Sequence, residues 1–302
     1  MKILVSGREG QLARSLLEAA VRPDIQVVSI GRPEFDVADE KSVIAAFARE
    51  HPDIAVNAAA YTAVDKAESE PAVAHAVNAL GAEHVAKASA AHSIPIIHIS
   101  TDYVFDGKKD GPYLESDPTG PINVYGVTKL EGERRVAKAC ERHLILRTAW
   151  LYSPWGTNFP KTMLRLAASR PIISVVEDQL GSPTYVPDLA STIIELATRV
   201  IDEHGSGRWG TYHGVAQGET SWFGFAREIF RHAAEQGLPV ADIAGIPTSA
   251  YPTPARRPAN SRLNCDKLRQ SFGLELPDWR LGVSDCMARL AALAQAGKIE
   301  GA

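Results

Sequence analysis

The chain has few cysteines and no long apolar run, and each shortage excludes a class of protein. Its 302 residues include three cysteines, Cys140, Cys265 and Cys286, which lie far apart and form no CxxC pair. A disulfide scaffold is therefore excluded, and free thiols are typical of a reducing cytoplasm. No apolar segment approaches the ~20 residues that a membrane helix needs, and the chain begins on an apolar strand pattern rather than a signal peptide. We therefore expect a cytoplasmic protein with no membrane partner.

The chain also has little net charge. Its formal net charge is -4 and its sequence pI is about 6.2, with basic residues scattered rather than clustered. Such a chain lacks the basic field that binds nucleic acid, so we predict no nucleic-acid partner. What it does have is 45% hydrophobic and 23% charged residues, an ordinary globular composition. The length suits one large α/β domain with a second, smaller lobe.

The first twenty residues predict a strand, a tight turn and a helix. Residues 2–7 (KILVSG) have a short buried-strand pattern that ends in glycine, and residues 11–20 have apolar side chains at helical spacing. The turn between them reads G-x-x-G-x-x-A, from Gly7 through Gly10 to Ala13. Glycines at this place let the backbone approach a pyrophosphate at the helix N-terminus, whereas the alternative is a plain glycine-rich turn. We predict a dinucleotide cofactor here, with Gly7 and Gly10 in contact with it.

The tip of the second predicted strand, residues 25–31, bears on the choice of cofactor. It is followed by Arg32 rather than by the Asp or Glu that accepts hydrogen bonds from the ribose of NAD. An arginine without a competing carboxylate can pair with a 2′-phosphate, so we predict that NADPH is used at least as well as NADH. A solvated loop arginine is the alternative. Asp36 and Val37 either hold the adenine edge, or Asp36 caps the helix predicted over residues 40–50.

The rest of the first half alternates strands with helices. Strands are predicted at residues 53–60, 95–101 and 143–150, with a long helix over 70–92. This alternation predicts an α/β fold, a Rossmann-type doubly wound parallel sheet. After residue 150 the alternation weakens, which indicates a smaller mixed α/β substrate lobe. We predict an NAD(P)-binding Rossmann domain at 1–150, with 185–215 packing back onto it, and a substrate lobe at 151–184 and 216–302.

Three groups of polar residues are candidates for chemistry. Tyr125 and Lys129 are one helical turn apart, so a lysine ammonium can lower the pKa of the neighbouring phenol and make it a proton donor for a carbonyl. An exposed helix can carry the same pair by chance. Thr101 ends a strand at the carboxyl edge, where its hydroxyl can bond a substrate carbonyl or merely belong to a capped loop. Arg256 and Arg257, between prolines, can grip a phosphate or form a rigid surface linker.

These residues together resemble the extended short-chain dehydrogenase/reductase superfamily and, within it, are similar to the dTDP-4-dehydrorhamnose reductases. Seven segments carry the resemblance in order along almost the whole chain: 7–12, 57–68, 100–107, 125–129, 147–152, 178–184 and 257–263. The resemblance implies reduction of the C4 keto group of dTDP-4-dehydro-L-rhamnose to dTDP-L-rhamnose. It implies hydride from NADPH, with NADH as a second donor, and a proton from Tyr125.

The resemblance also implies residue roles. The catalytic residues would be Thr101, Tyr125 and Lys129. The cofactor would be contacted, besides Gly7 and Arg32, by Gly10, Gln11, Leu12, Asp36, Val37, Ala60, Tyr61, Thr62, Tyr125 and Lys129. The nucleotide sugar would meet Thr101, Asp102 and Trp150, and Arg257 is our candidate for its phosphates. Some members of the family form homodimers joined through magnesium and acidic side chains. We place no such acids here, so we predict no metal and leave a homodimer open.

Three other functions fit the same residues. One is a 4-ketoreductase that gives the C4 epimer, 6-deoxy-talose, and another is a nucleotide-sugar epimerase. The third is a non-catalytic regulatory subunit of a methionine adenosyltransferase, a role that one relative of these reductases serves. The presence of Thr101, Tyr125 and Lys129 together argues against the third, because a binding module does not need a proton donor.

Overall fold

The centre of the molecule is a six-stranded sheet in which every neighbouring pair of strands is parallel. The computed structural model describes residues 1–202 and 207–297. Across the sheet the strands are β10 (Gly210–His213), β5 (His143–Thr148), β4 (Ile96–Thr101), β3 (Ile54–Asn57), β1 (Lys2–Ser6) and β2 (Gln26–Ile30). The predicted α/β class with a Rossmann-type parallel sheet is confirmed.

Helices cover both faces of this sheet. One face packs on α1 (Gln11–Ala19) and α8 (Val186–Asp202), and the other on α2 (Glu40–Glu50), α5 (Gly81–Ala91) and α6 (Val124–Ala139). Alternate side chains of one strand enter the two cores: Ile3 and Val5 of β1 lie in the first, and Leu4 lies in the second. Burial on both faces explains why these strands read as nearly continuous apolar runs.

The predicted helix over 70–92 is a composite. It consists of α4 (Pro71–His75), a π-helical turn (Ala76–Leu80) and α5, and α3 (Val64–Ala67) precedes it. Proline occupies the first turn of α4, where its missing N–H costs no intrahelical hydrogen bond. The helix α2 is capped by Asp39, whose side chain accepts from the backbone N–H of Lys41. The alternative role of Asp36 as this cap is therefore wrong.

A smaller lobe follows β5. Its core contains aromatic and aliphatic side chains from α7 (Phe159–Ala167), α9 (Trp222–Glu235) and α11 (Trp279–Gln295), together with a parallel pair of strands, β7 (Ile172–Val176) and β12 (Asp242–Ile246). Two further pairs of very short strands are β6 (Leu151–Tyr152) with β9 (Thr184–Tyr185), and β8 (Leu180–Gly181) with β11 (Thr220–Ser221).

Parts of the second half of the chain return to the sheet. Residues of α8, β10 and α10 (Asp266–Phe272) share one apolar core with α1 and the central strands. Leu268 and Phe272 belong to this core although the predicted division assigns 216–302 to the lobe. The division into two domains stays a prediction. Within 1–202 and 207–297, no helix combines the length and apolar character that crossing a membrane requires.

The order of the strands creates a crevice. The chain runs outward from β1 to β2 on one side and crosses to β3 on the other, so the connections after β1 and β3 diverge at the carboxyl edge. Ligands of doubly wound sheets bind at such a switch point. Here the Ser6 hydroxyl donates to Asn57 Oδ1 at 2.6 Å, which joins the ends of β1 and β3.

Candidate active site

A cleft of about 590 Å³ opens at this carboxyl edge. It is lined by residues from the ends of β1, β3, β4 and β5, from α6 and from the start of α1. Most of the predicted site residues line it together: Gly7, Gly10, Gln11, Leu12, Ala60, Thr62, Thr101, Asp102, Tyr125, Lys129 and Trp150. Residues separated by more than a hundred positions in the sequence thus face one space.

The glycine turn has the geometry of an anion site. Gly7 has φ +120°, a conformation that side-chain-bearing residues rarely adopt, and a Cβ placed on it would lie 3.9 Å from Ala13. Gly10 precedes α1 without a side-chain cap, and a Cβ there would meet no atom within 4 Å. The first N–H groups of α1 therefore face open space beside a positive helix end, which suits a pyrophosphate.

The start of α6 places Tyr125. Asn123 caps the helix by accepting from the N–H of Gly126 at 2.8 Å, and its amide donates to the carbonyl of Arg256 at 2.8 Å. Tyr125 is therefore in the first turn, and its ring meets Tyr103 edge to face with centroids 5.8 Å apart. Burial raises the pKa of Tyr125 to about 12, and among the described residues only Thr101 acts in the opposite direction. The predicted lowering of this pKa by Lys129 is therefore wrong for the unliganded protein, because burial outweighs it.

Thr101 and Asp102 form the polar end of β4. The Thr101 hydroxyl accepts from the N–H of Tyr103 at 3.2 Å and donates to Asp102 Oδ1 at 3.0 Å. Burial raises the pKa of Asp102 to about 7, against hydrogen bonds from Ser261 and Thr101 that lower it. Its Oδ2 is buried and has no hydrogen-bond partner among the described residues, although Asp102 lines the cleft.

Lys129 is almost fully buried, with 2% of its surface exposed. Its ammonium donates to the carbonyl of Ile99 at 2.6 Å. Burial lowers the pKa of Lys129 to about 8, and the charge of Glu133 opposes that shift. At neutral pH Lys129 is therefore mostly a cation, and it loses its proton just above that range.

An aromatic pair forms the wall between this cleft and the substrate lobe. Trp150 has φ +47°, which is uncommon for a bulky residue, and its ring stacks on Trp222 with centroids 3.6 Å apart and planes within 7°. Trp222 was not predicted. It begins a helix of the lobe and gives no local signal in the sequence, yet it lines this cleft and the next.

A second cleft, of about 550 Å³, lies beyond that wall. Tyr103 and Trp222 line both clefts, and α7 and β7 supply an apolar side that includes Phe159, Met163 and Val175. Arg257 lies here rather than in the first cleft. Its guanidinium bonds both carboxylate oxygens of Asp65 at 2.5 and 2.7 Å, and one nitrogen also donates to the carbonyl of Ala255 at 2.6 Å.

Comparisons with known proteins agree with this arrangement. The model of a family described as "RmlD substrate binding domain" matches residues 1–292. A protein of Sinorhizobium fredii named dTDP-4-dehydrorhamnose reductase is 48% identical over 279 residues, which cover 92% of this chain and 94% of that one. The chain belongs to the dTDP-4-dehydrorhamnose reductase family. The reductase of that name from Escherichia coli strain K12 is 44% identical over 298 residues, covering 96% and 98% of the two chains.

Solved structures of the family have the same fold. A dTDP-4-dehydrorhamnose reductase from Clostridium acetobutylicum superposes with a TM-score of 0.88 at 36% identity, covering 96% of this chain and 99% of that one. One from Bacillus anthracis, in complex with NADP, gives a TM-score of 0.88 at 36% identity, covering 95% and 99%. The resemblance seen in the sequence is therefore confirmed as family membership.

Five of the residues that the family resemblance and the sequence suggested do not line the first cleft: Arg32, Asp36, Val37, Tyr61 and Arg257. Arg32 is exposed after β2, and its carbonyl accepts from the side chain of Arg8 at 3.3 Å. Arg8 also pairs with Glu34 at 3.2 Å. Two arginines, Arg8 and Arg32, therefore lie near the carboxyl end of β2. Arg8 was not predicted, because it occupies one of the unspecified positions of the glycine motif.

The other cofactor candidates are fixed by neighbouring elements. Asp36 accepts from the N–H of Ala38, and the buried Val37 packs under α5 with its carbonyl 2.9 Å from Nδ1 of His84. Tyr61 donates its hydroxyl to Glu70 at 2.6 Å.

Asn78 of the π-helical turn was also missed by the sequence reasoning. Its side chain accepts from the backbone N–H of Tyr61 at 2.8 Å and donates to Thr128 of α6 at 3.1 Å. It thus ties the loop after β3 to the helix that carries Tyr125 and Lys129.

Proposed function

We propose that this chain reduces the C4 keto group of dTDP-4-dehydro-L-rhamnose with NADPH and gives dTDP-L-rhamnose. The observation that carries the proposal is the meeting of Thr101, Tyr125 and Lys129 in one cleft with the glycine turn. It is supported by relatives of that name at 48% and 44% identity, matched over nearly their whole length. NADPH is favoured because a structure at 36% identity holds NADP. NADH as a second donor stays a proposal.

The glycine turn and its surroundings fit such a cofactor. The uncapped start of α1 and the open space at Gly10 leave room for a pyrophosphate. The small side chains of Ala58 and Ala60 line the cleft between that turn and Tyr125, where a flat ring needs room. When bound, NADPH supplies the hydride. We assign the cofactor contacts to Gly7, Gly10, Gln11, Leu12, Ala60 and Thr62, with Tyr61, Asp36, Val37 and Arg32 at the periphery.

The protein's part in the reaction is to bind the keto sugar and protonate its oxygen. Tyr125 holds a proton throughout the neutral range, because its pKa is raised to about 12. The Thr101 hydroxyl lies close enough to Tyr125 to lower the pKa of its phenol, so it can orient the same oxygen that the phenol protonates. Proton transfer leaves a phenolate, and the Lys129 cation one turn away stabilises that negative charge.

The second cleft suits the nucleotide part of the substrate. Arg170 supplies positive charge, Arg257 lies there in its ion pair with Asp65, and Trp222, Phe159 and Tyr251 supply aromatic surface. Because Trp222 and Tyr103 line both clefts, a nucleotide in the second cleft can extend its sugar past Trp150 toward Tyr125. Asp102, with its unpaired buried oxygen, is placed to bond a sugar hydroxyl.

The test is a coupled assay. dTDP-glucose is converted by the upstream dehydratase and epimerase, the purified chain is added, and oxidation of NADPH or of NADH is followed by absorbance. We expect oxidation only when both upstream enzymes are present, with C4 of the product in the rhamno configuration by NMR. A talo product would replace the proposed stereochemistry. No oxidation with either cofactor, together with stoichiometric capture of a methionine adenosyltransferase, would overturn the proposal in favour of a regulatory subunit.

A further inference from the structure

A buried ion pair lies behind the floor of the first cleft. Glu133 of α6 accepts from Nε and Nη2 of Arg147 at 2.9 and 2.7 Å, and from the hydroxyl of Ser100 at 2.5 Å. Glu133 and Arg147 are 4% and 5% exposed. Carboxylates and guanidinium groups are almost never this deeply buried without a partner, and here each is the other's partner.

Stability alone does not account for this pair. Removing two charges from water is costly, and apolar residues of similar volume often replace a buried pair at no loss of stability. The remaining nitrogen of Arg147, Nη1, is buried and has no hydrogen-bond partner in the structure. Arg147 instead rests its guanidinium on the ring of Phe105, 5.1 Å from the centroid. A network optimised for folding would satisfy that nitrogen.

The position of the pair connects it to the reacting groups. Glu133 is four residues after Lys129 on α6, so the two side chains are neighbours on one helix face. Its hydroxyl partner, Ser100, lines the cleft and directly precedes Thr101. Glu133 therefore bonds the residue that precedes Thr101 and lies one helical turn after Lys129.

The other titratable groups around Lys129 do not supply a negative charge from the sheet side. On β4, burial and the charge of Lys129 hold the pKa of His98 well below its ordinary value, so His98 stays neutral. Asn57 meets its Nδ1 at 3.0 Å. From β5 comes the cation of Arg147, and from α6 itself come Tyr125 and Glu133.

We propose that Glu133 is a positioning residue for the reduction: paired with Arg147, it holds Ser100, the residue before Thr101, and keeps the charge of Lys129 one helical turn away. This inference rests on the proposed function. Its basis is the geometry of Glu133, which bonds Ser100 and Arg147 and lies one helical turn after Lys129 on α6. The pKa of Lys129 agrees in direction, because burial lowers it and the charge of Glu133 raises it. Without the carboxylate, the unpaired Arg147 cation would add repulsion to burial, and Lys129 would lose its proton at a lower pH.

The experiment measures kcat/KM for the keto sugar against pH at saturating NADPH. Activity needs the Lys129 cation, so the wild-type profile falls on its alkaline side. In Glu133→Gln we expect this alkaline limb to move to lower pH by about one unit or more, the usual effect of one nearby charge. The matched control is Glu131→Gln, which removes the same charge two residues away from a partly exposed pair with Arg135. Its limb should coincide with that of the wild type.

A double variant separates charge from folding. Glu133→Gln with Arg147→Gln removes both charges, so its alkaline limb should lie between those of the wild type and Glu133→Gln. This variant keeps the test open if the single variant does not fold, because its limb should still lie below that of the wild type. An unchanged limb in either variant, or a uniform loss of activity at all pH values, would overturn the inference and leave Glu133 a structural residue. If the wild type itself oxidises no NADPH, the proposed function fails instead.

Discussion

Tyr125 retains its proton because burial raises its pKa, so its role is tested by removing the hydroxyl and nothing else. In Tyr125→Phe the ring can keep its edge-to-face contact with Tyr103 while the proton donor is lost. We expect turnover to fall by at least about 10²-fold, the usual contribution of general acid catalysis. Binding of NADPH, measured by fluorescence titration, should be nearly unchanged. A fully active variant would remove Tyr125 from the mechanism.

Lys129 shows a conflict between activity and stability at a single residue. Burial lowers its pKa to about 8 from the ordinary 10.5, so the charged form of Lys129 destabilises the folded protein. This penalty is fully present below pH 8 and is lost as pH rises toward 10.5, where the unfolded chain also gives up the proton. Lys129→Met should therefore abolish most turnover and yet be more stable at neutral pH, by about 3 kcal/mol.

The measurement is urea unfolding of both proteins across that pH range. The gain of Lys129→Met over the wild type should shrink as pH rises above 8. A gap that stays constant with pH would mean that the charge of Lys129 carries no burial cost, and a less stable variant would mean that its bond to Ile99 outweighs that cost.

At the scale of elements, α6 packs closely against the π-helical turn because Gly132 has no side chain. A Cβ added at Gly132 would overlap the carbonyl oxygen of Asn78. Alanine normally stabilises a helix interior by about 1 kcal/mol relative to glycine. Here Gly132→Ala should instead destabilise by roughly 1–3 kcal/mol and reduce activity, because it pushes away the helix that carries Tyr125 and Lys129. Thermal unfolding checks this, and Gly111→Ala, where a Cβ would meet nothing within 4 Å, is the control expected to be neutral.

The elements that the sequence predicted well are those whose signal is local. Apolar runs buried on both faces identified the central strands, and helical spacing identified α1 and α2 to within a residue. The π-helical turn was not predicted, because its residues are ordinary helix formers. Its one distinguishing feature is the contact of Asn78 with α6, which the sequence does not show. Similarly, nothing near Arg257 indicates Asp65, which lies 192 residues away, and nothing near Trp222 indicates its stacking on Trp150.

At the scale of the whole molecule, one side chain of the glycine turn reaches the substrate lobe. Gln11 accepts from Ser153 at 2.8 Å and from Asn158 at 2.9 Å, and Asn158 caps α7 by accepting from the N–H of Lys161. The same helix supplies Phe159, Met163 and Leu166 to the second cleft. A ligand that orders the glycine turn therefore also orders α7, which forms one side of the second cleft.

From this connection we predict positive coupling between the two ligands. dTDP should bind about 5- to 10-fold more tightly when NADPH is present, the low end of ordinary coupling, and NADPH should gain the same factor from dTDP. Gln11→Ala should bring both ratios close to one, because the turn and α7 no longer share hydrogen bonds. Calorimetric titration of each ligand with and without the other measures the ratio, with Gln26→Ala, an exposed glutamine on β2, as the control that keeps it. A ratio in Gln11→Ala equal to that of the wild type would show that the ligands communicate only through their shared walls at Tyr103 and Trp222.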